Sequence, residues 1–158
     1  MIIRPIEAED NEAIKRLIKT SLEDLELNIP GTAYFDSSLN DLYSSYHSQQ
    51  NAEYWVAVDD ETIVGGIGIA PFDETTHTCE LQKLYVAESA QGQGISRLLM
   101  DAALEFASHY YKYCYLETTD TLDVACKLYY KYGFKLLEQP LNTTEHTAMN
   151  QWFLKKLH

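Results

Sequence analysis

One stretch constrains the fold of this 158-residue chain more than any other. From Glu80 to Met100 it runs ELQKLYVAESAQGQGISRLLM, which reads as a strand, a turn of small residues and the start of an amphipathic helix. Leu81, Leu84, Tyr85 and Val86 favour a strand and no breaker interrupts them. From Ile95 onward, Ile95, Leu98, Leu99, Ala102, Ala103, Phe106, Ala107 and Tyr110 recur at the spacing of one helix face. Between strand and helix lie Gln91, Gly92, Gln93, Gly94, Ile95 and Ser96. Two glycines there can expose backbone N–H groups at a helix N-terminus, where the helix dipole favours anions. A tight turn that needs glycine only for its torsions is the other reading of the same residues. Arg97 stands where a dinucleotide fingerprint needs its third glycine, and no Gly-Lys-Ser/Thr follows. Neither a Rossmann turn nor a P-loop is present.

The remaining elements follow in order. Ile2 to Ile6 is a short strand, and Glu9 or Asp10 opens a helix with Ala13, Ile14, Leu17, Ile18, Leu22 and Leu25 on one face, stopped by Pro30-Gly31. A second helix is expected from about Asp36, with Leu39, Leu42, Tyr43 and Tyr46 as its buried stripe. Glu53 to Val58 and Thr62 to Ala70 form a hairpin around Asp59-Asp60-Glu61. Gly65, Gly66 and Gly68 in its second strand predict a bulge or a close backbone approach. After the long helix come a buried strand at Tyr113 to Thr118, a helix closing at Gly133, a strand at Phe134 to Leu137, a polar loop and a last strand at Met149 to Leu157.

Composition narrows the partners. A length of 158 residues suits one domain, 1–158, and 46% hydrophobic with 23% charged residues is ordinary for a globular protein. The net charge of −12 repels nucleic-acid backbones and anionic membranes and attracts a cationic acceptor such as an amine. Cys79, Cys114 and Cys126 are scattered and odd in number, as expected of reduced thiols in a cytoplasm. The start MIIRPIEAED does not read as a signal peptide, and no apolar run approaches a membrane span. No set of His, Cys, Asp and Glu has metal-ligand spacing, so no metal is expected.

The turn resembles the coenzyme A pyrophosphate loop of the GNAT superfamily, Gln/Arg-x-x-Gly-x-Gly/Ala, matched by Gln91, Gly94 and, imperfectly, Ser96. A second segment, Ala125 to Phe134 (ACKLYYKYGF), is similar to that family's Ala-x-x-Leu-Tyr-x-Lys-x-Gly-Phe. The resemblance implies a mixed α/β fold: a central twisted mixed sheet of about seven strands flanked by about four helices. It also implies an acetyl-coenzyme A-dependent N-acetyltransferase acting on an amine of a small molecule or peptide. A non-catalytic acyl-coenzyme A-binding module is the alternative. Dimers are common in the family.

From the resemblance, backbone groups at Leu84, Tyr85 and Val86 would pair with the pantetheine arm. The loop Gln91, Gly92, Gln93, Gly94, Ile95, Ser96 and Arg97 would hold the pyrophosphate, with Arg97 and Lys127 or Lys131 supplying positive charge against the acidic field. Tyr129 matches the family's tyrosine near the coenzyme A sulfur. A thiolate leaving group needs a proton, and a phenol can donate one. An ammonium must lose a proton before it attacks a thioester, and Glu80 is the candidate base because it opens the strand before the loop and some members of the resembling family place a catalytic Glu at this offset. Strand alternation would put Glu80, Gln82, Leu84 and Val86 on one face. Tyr34 and Phe35 are candidates for one wall of an acceptor pocket, and His146 for a second base or an acceptor-binding residue. Many family members carry an Asn that contacts the cofactor where Leu122 stands, which predicts reduced cofactor affinity.

Overall fold

The computed structural model describes residues 1–142 and 146–158. Seven strands form one sheet in the order β1-β2-β3-β4-β5-β7-β6. They are β1 (Ile2–Pro5), β2 (Glu53–Asp59), β3 (Thr62–Asp73), β4 (Thr78–Val86), β5 (Tyr113–Thr118), β6 (Lys135–Leu137) and β7 (Gln151–Lys156). Among the described residues four α-helices accompany them: α1 (Asn11–Asp24), α2 (Leu42–His47), α3 (Ile95–Tyr110) and α4 (Asp123–Lys131). Every strand pair is antiparallel except β4–β5, which α3 joins as a parallel crossover. Among the described residues no helix is long and apolar enough to cross a membrane.

Side-chain alternation gives the sheet two apolar faces, each covered by helices. On one face Ile14, Ile18 and Leu22 of α1 and Leu42 and Tyr46 of α2 meet Tyr54, Val56 and Ala70. On the other, Ile95, Leu99, Ala103 and Ala107 of α3 and Cys126 and Tyr129 of α4 meet Ile67, Ile69, Cys79, Leu81, Cys114, Leu116 and Phe153. The stripe expected on α3 is narrower than its spacing predicts, since Leu98 and Tyr110 are half exposed.

Two helix boundaries differ from expectation. α1 ends at Asp24, before Pro30-Gly31, because Glu26 takes a left-handed conformation and Leu27 N–H returns to the Leu22 carbonyl at 2.7 Å. The helix expected from Asp36 is a 3-10 turn (Ser37–Asn40) followed by the short α2. Asp41 breaks it, leaving helical torsions and capping α2 by accepting from Ser44 N–H at 3.1 Å.

The glycines of β3 make room for two tyrosines. A Cβ at Gly66 would collide with the Tyr54 ring, and one at Gly68 with the Tyr46 ring. Both rings cross the sheet to β4, where Tyr54 Oη donates to the Lys83 carbonyl at 2.8 Å and Tyr46 Oη to Gln82 Oε1 at 2.7 Å. Opposite lies a bulge. Gly68 pairs with Gln82 and Gly66 with Tyr85, so Ile67 alone faces Lys83 and Leu84, and Lys83 has φ +52°.

The bulge reverses an expected facing. Glu80, Gln82 and Tyr85 lie toward α1 and α2, whereas Leu84 and Val86 pack with Leu81 on the α3 side. Glu80, Gln82, Leu84 and Val86 therefore do not share a face, because one inserted residue shifts the alternation beyond it.

Candidate active site

The site begins where β4 and β5 part. Their pairing covers only Thr78↔Tyr113, Cys79↔Cys114 and Glu80↔Tyr115. Beyond it β4 stays paired with β3 and β5 with β7, so the edges Leu81–Val86 and Leu116–Thr118 face each other across a gap. The cleft is lined by both edges, by Thr32 and Ala33 before α2, by Leu122 and Tyr129 of the α4 segment, and by His146 and Met149.

Glu80 stands at the apex of the gap. Its Oε1 accepts from Gln82 Nε2 at 2.6 Å, and Gln82 is itself held by the Tyr46 hydroxyl. Burial raises the Glu80 pKa above its ordinary 4.5, and the nearby Glu117 charge adds to this. The Gln82 hydrogen bond and the charges of His146 and Lys83 oppose the rise without cancelling it. A carboxylate made more basic in this way is a better proton acceptor near neutrality.

Tyr129 reaches the cleft from α4, on the opposite side of the sheet from Glu80. Its ring packs against Phe134 and Phe153, with centroids 5.9 and 5.8 Å apart. Its hydroxyl has no hydrogen-bond partner among the described residues. Burial, then the neighbouring Cys126 and Cys114, push its pKa above the usual 10. It is therefore a neutral donor at physiological pH.

The glycine loop sits at the end of β4. Gln91 Nε2 donates to the Val86 carbonyl at 3.2 Å and ties the loop to the strand. Gly92 and Gly94 have φ +82° and +78°, a conformation that favours glycine, and a Cβ at either would project into open space. Gly94 is the N-cap of α3 and provides no side-chain cap, so the first N–H groups of a sixteen-residue helix lack an intrahelical partner. Gln91, Gln93 and Arg97 are exposed around it, and Ser96 is half-buried. Tyr132 beyond α4 reaches back to Asp101 Oδ1 at 2.7 Å and the Arg97 carbonyl at 3.2 Å, which fixes α4 beside this turn. Lys127 and Lys131 are exposed on α4. Such a cradle of backbone donors suits a phosphate.

The α1–α2 side of the cleft holds a charged cluster that sequence reasoning missed in part. Asp36 takes Lys83 Nζ at 3.0 Å and His146 Nε2 at 3.0 and 3.1 Å. The His146 bond, then Lys83, hold the Asp36 carboxyl below its ordinary range despite burial. The Asp36 bond in turn raises the His146 pKa, against burial. The backbone beside His146 is also anchored, since Ala148 N–H donates to the Gly31 carbonyl at 3.0 Å. Residues 143–145 of the polar loop lie outside the described residues.

Not every expected wall residue reaches the cleft. Tyr34 turns onto the outer face of α1, donating to Glu23 Oε2 at 2.6 Å beneath Lys19, and Phe35 is 62% exposed. Their neighbours Thr32 and Ala33 line the site instead. Thr32 Oγ1 donates to the carbonyls of Leu27 and Ile29 and so sets that turn. Glu117 also lines the cleft and was legible in principle, as a carboxylate within the buried strand YCYLET. Asp36 and Lys83 gave no comparable signal.

Comparison with known proteins gives the family to which this fold and cleft belong. A model of the acetyltransferase (GNAT) family matches residues 15–134. The chain is 35% identical to an uncharacterized N-acetyltransferase, YjgM, of Escherichia coli K12, over 99% of this chain and 95% of that one. It spans about half the length of the human N-acetyltransferases 8B and 8 that it also matches. A GNAT-family acetyltransferase structure from Staphylococcus aureus Mu50 superposes with a TM-score of 0.87, at 19% identity and 99% coverage of each chain. The PaiA N-acetyltransferase of Thermoplasma acidophilum, crystallised with coenzyme A, gives 0.73 at 21% identity and 98% coverage of each. At these identities the structural likeness is one of fold. The chain belongs to the GNAT acetyltransferase family and is an N-acetyltransferase.

Proposed function

We propose that the protein, acting as one unit over residues 1–158, transfers an acetyl group from acetyl-coenzyme A directly to an amine of a small molecule or peptide. One observation carries this reading. The parting of β4 and β5 opens a cleft at the sheet that both Glu80 and, from the α4 side, Tyr129 line. The pyrophosphate rests on the N–H groups of the Gln91–Arg97 turn, and the pantetheine arm lies along the open edge of Leu84, Tyr85 and Val86. The coenzyme A bound by the PaiA enzyme supports the choice of donor.

The acceptor enters from the α1–α2 side as an ammonium and gives a proton to Glu80. Its nitrogen then attacks the thioester carbonyl carbon, forming the C–N bond. On collapse the C–S bond breaks, and the Tyr129 phenol gives its proton to the leaving sulfur. Tyr129 recovers the second proton shed by nitrogen, so one proton is released per turnover. Glu80 is preferred to His146 as base because the His146 Nε2 is already bonded to Asp36. Leu122, in the cleft wall, offers the cofactor no hydrogen bond and favours modest cofactor affinity.

The test is thiol release from acetyl-coenzyme A in the presence of polyamines, aminoglycosides, amino acids and short peptides. Amine-dependent release is expected. Tight coenzyme A binding without release for any amine would make the chain a binding module instead.

A further inference from the structure

Glu117 has no task in the mechanism above. It lies in β5 two residues past the last pair with β4, and its side chain shares the Glu80 face with Tyr115. Its Oε2 accepts from the Tyr115 hydroxyl at 2.9 Å. Its Oε1 is sealed from solvent and has no hydrogen-bond partner among the described residues. A carboxylate oxygen in that state is costly to the fold unless a ligand completes it.

Neither cation of the cleft does so, because Lys83 and His146 are both bonded to Asp36. Glu80 stands near enough for the Glu117 charge to disfavour its ionisation. The cleft thus presents two carboxylates to one space and no bridging cation among the described residues. An ammonium, with three N–H donors and a positive charge, matches both.

We propose that Glu117 binds the acceptor's ammonium group through Oε1, and that this bond makes the protein select primary amines arriving in protonated form over neutral isosteres such as alcohols. The inference deepens the acetyl-transfer reading and rests on it for the roles of the two acids. Glu80 takes one proton from the nitrogen while Glu117 still accepts a second N–H, which steers the freed lone pair toward the thioester. Tyr115 is a positioning residue: by donating to Oε2 it leaves Oε1 as the carboxylate's open acceptor. An alcohol offers one donor and no charge, so it leaves one carboxylate unpaired.

The probes are n-propylammonium chloride, its isostere 1-propanol, and sodium chloride at matched ionic strength. They are applied to the full chain and to Glu117→Gln and Glu117→Leu at neutral pH. In thermal melts, propylammonium should raise the wild-type Tm saturably, whereas propanol and salt should not. Glu117→Gln, which keeps an acceptor for the buried Tyr115 hydroxyl, should melt at or above the wild-type temperature without ligand, whereas Glu117→Leu also leaves that hydroxyl unpaired and should melt lower; both should lose the response to propylammonium. In steady-state thiol release with propylamine, Glu117→Gln should raise the amine KM about tenfold or more, as expected for a lost charge-assisted bond. The acetyl-coenzyme A KM should be unchanged.

No wild-type response, or an equal response in Glu117→Gln, overturns the proposal. So does destabilisation of both variants with an unchanged amine KM, which would make Glu117 structural. A wild type that responds to propylammonium but neither binds acetyl-coenzyme A nor releases its thiol sinks the transfer reading and leaves the ammonium site standing.

Discussion

The two sides of the cleft are built from different materials. Toward α3 the hydrogen-bonding groups at the cleft are mainly backbone: the N–H groups of the Gly92–Gly94 turn and the edge of Leu84 to Val86 beyond the β4–β5 pairing. Toward α1 and α2 they are side chains: Asp36, Glu80, Lys83, Glu117 and His146. Backbone donors present the same chemistry whatever side chains flank them, so they suit a ligand that never changes, such as a shared cofactor. Charged side chains drawn from several elements can be exchanged one at a time, which suits the partner that differs from protein to protein. The comparison predicts that substitutions on the first side act on cofactor affinity and those on the second on acceptor chemistry.

The largest effect is expected on the side-chain side. Glu80→Gln keeps shape and removes the proton acceptor, so kcat should fall by about 10²–10⁴-fold near neutral pH. The deficit should shrink as pH rises and more amine arrives neutral. Wild-type activity should show an acid limb, falling as pH drops, with its midpoint above 4.5, since the Glu80 pKa is raised. Coenzyme A affinity by calorimetry should not change, and a change would blur the division between the two sides.

On the backbone side, Gly94→Glu places a carboxylate in the anion cradle at a residue with φ +78°. Coenzyme A affinity should fall about 100-fold or more, roughly the loss of two charge-assisted hydrogen bonds. The strain of a non-glycine residue there costs about 1–2 kcal/mol, so the fold should survive with a lowered Tm. Unchanged affinity in a folded variant would remove the loop from the cofactor site.

Tyr129 is a side chain on the α3 and α4 side and tests whether the division holds at the reacting atoms. Tyr129→Phe should lower kcat about tenfold, less than the base substitution because a thiolate leaves more readily than an amine loses its proton. Both KM values should hold, since the phenol acts when charge gathers on sulfur. The Tm should barely move, because the hydroxyl has no hydrogen-bond partner among the described residues. A drop in turnover smaller than about threefold would return Tyr129 to a packing role.

The same division explains what the sequence could tell. Glycine torsions and helix periodicity are local, so neighbouring residues alone reveal the loop at Gln91 to Arg97 and the start of α3 at Ile95. Tyr129 became a candidate only through the resemblance of Ala125 to Phe134 to a family segment, and the structure places it in the cleft wall. The glycines of β3 announced a close approach, though not that Tyr46 and Tyr54 would fill it. Asp36 was hidden because its partners lie 47 and 110 residues away, and nothing near Asp36 distinguishes it from a helix cap. The bulge at Lys83 was hidden for a related reason. It is stabilised by a hydroxyl from β2, and without it strand alternation assigns Leu84 and Val86 to the wrong face.

The smallest predicted effect probes that long-range cluster by pH. The Asp36 bond raises the His146 pKa above its ordinary 6.5 in the folded chain, while the neighbouring Lys83 and burial oppose the rise and Glu80 assists it. A group whose folded pKa is raised contributes stability fully below its unfolded pKa and loses it as pH climbs through the folded value. The stabilisation from the pair should therefore be complete below about pH 6.5 and fade above it. His146→Gln removes the titration while keeping a polar side chain. A part-exposed pair of this kind contributes about 1 kcal/mol, or about 2–4 °C of Tm for a chain of this size. The Tm difference between wild type and variant should approach that value under mildly acidic conditions and narrow as pH rises through the folded pKa. Asp36, whose own pKa is depressed, would add a separate loss only below its ordinary 3.8, so the two contributions are resolved by pH. A Tm difference that stays constant across the range would mean that His146 is held by packing rather than by charge, and the acceptor side would be less electrostatic than its residues suggest.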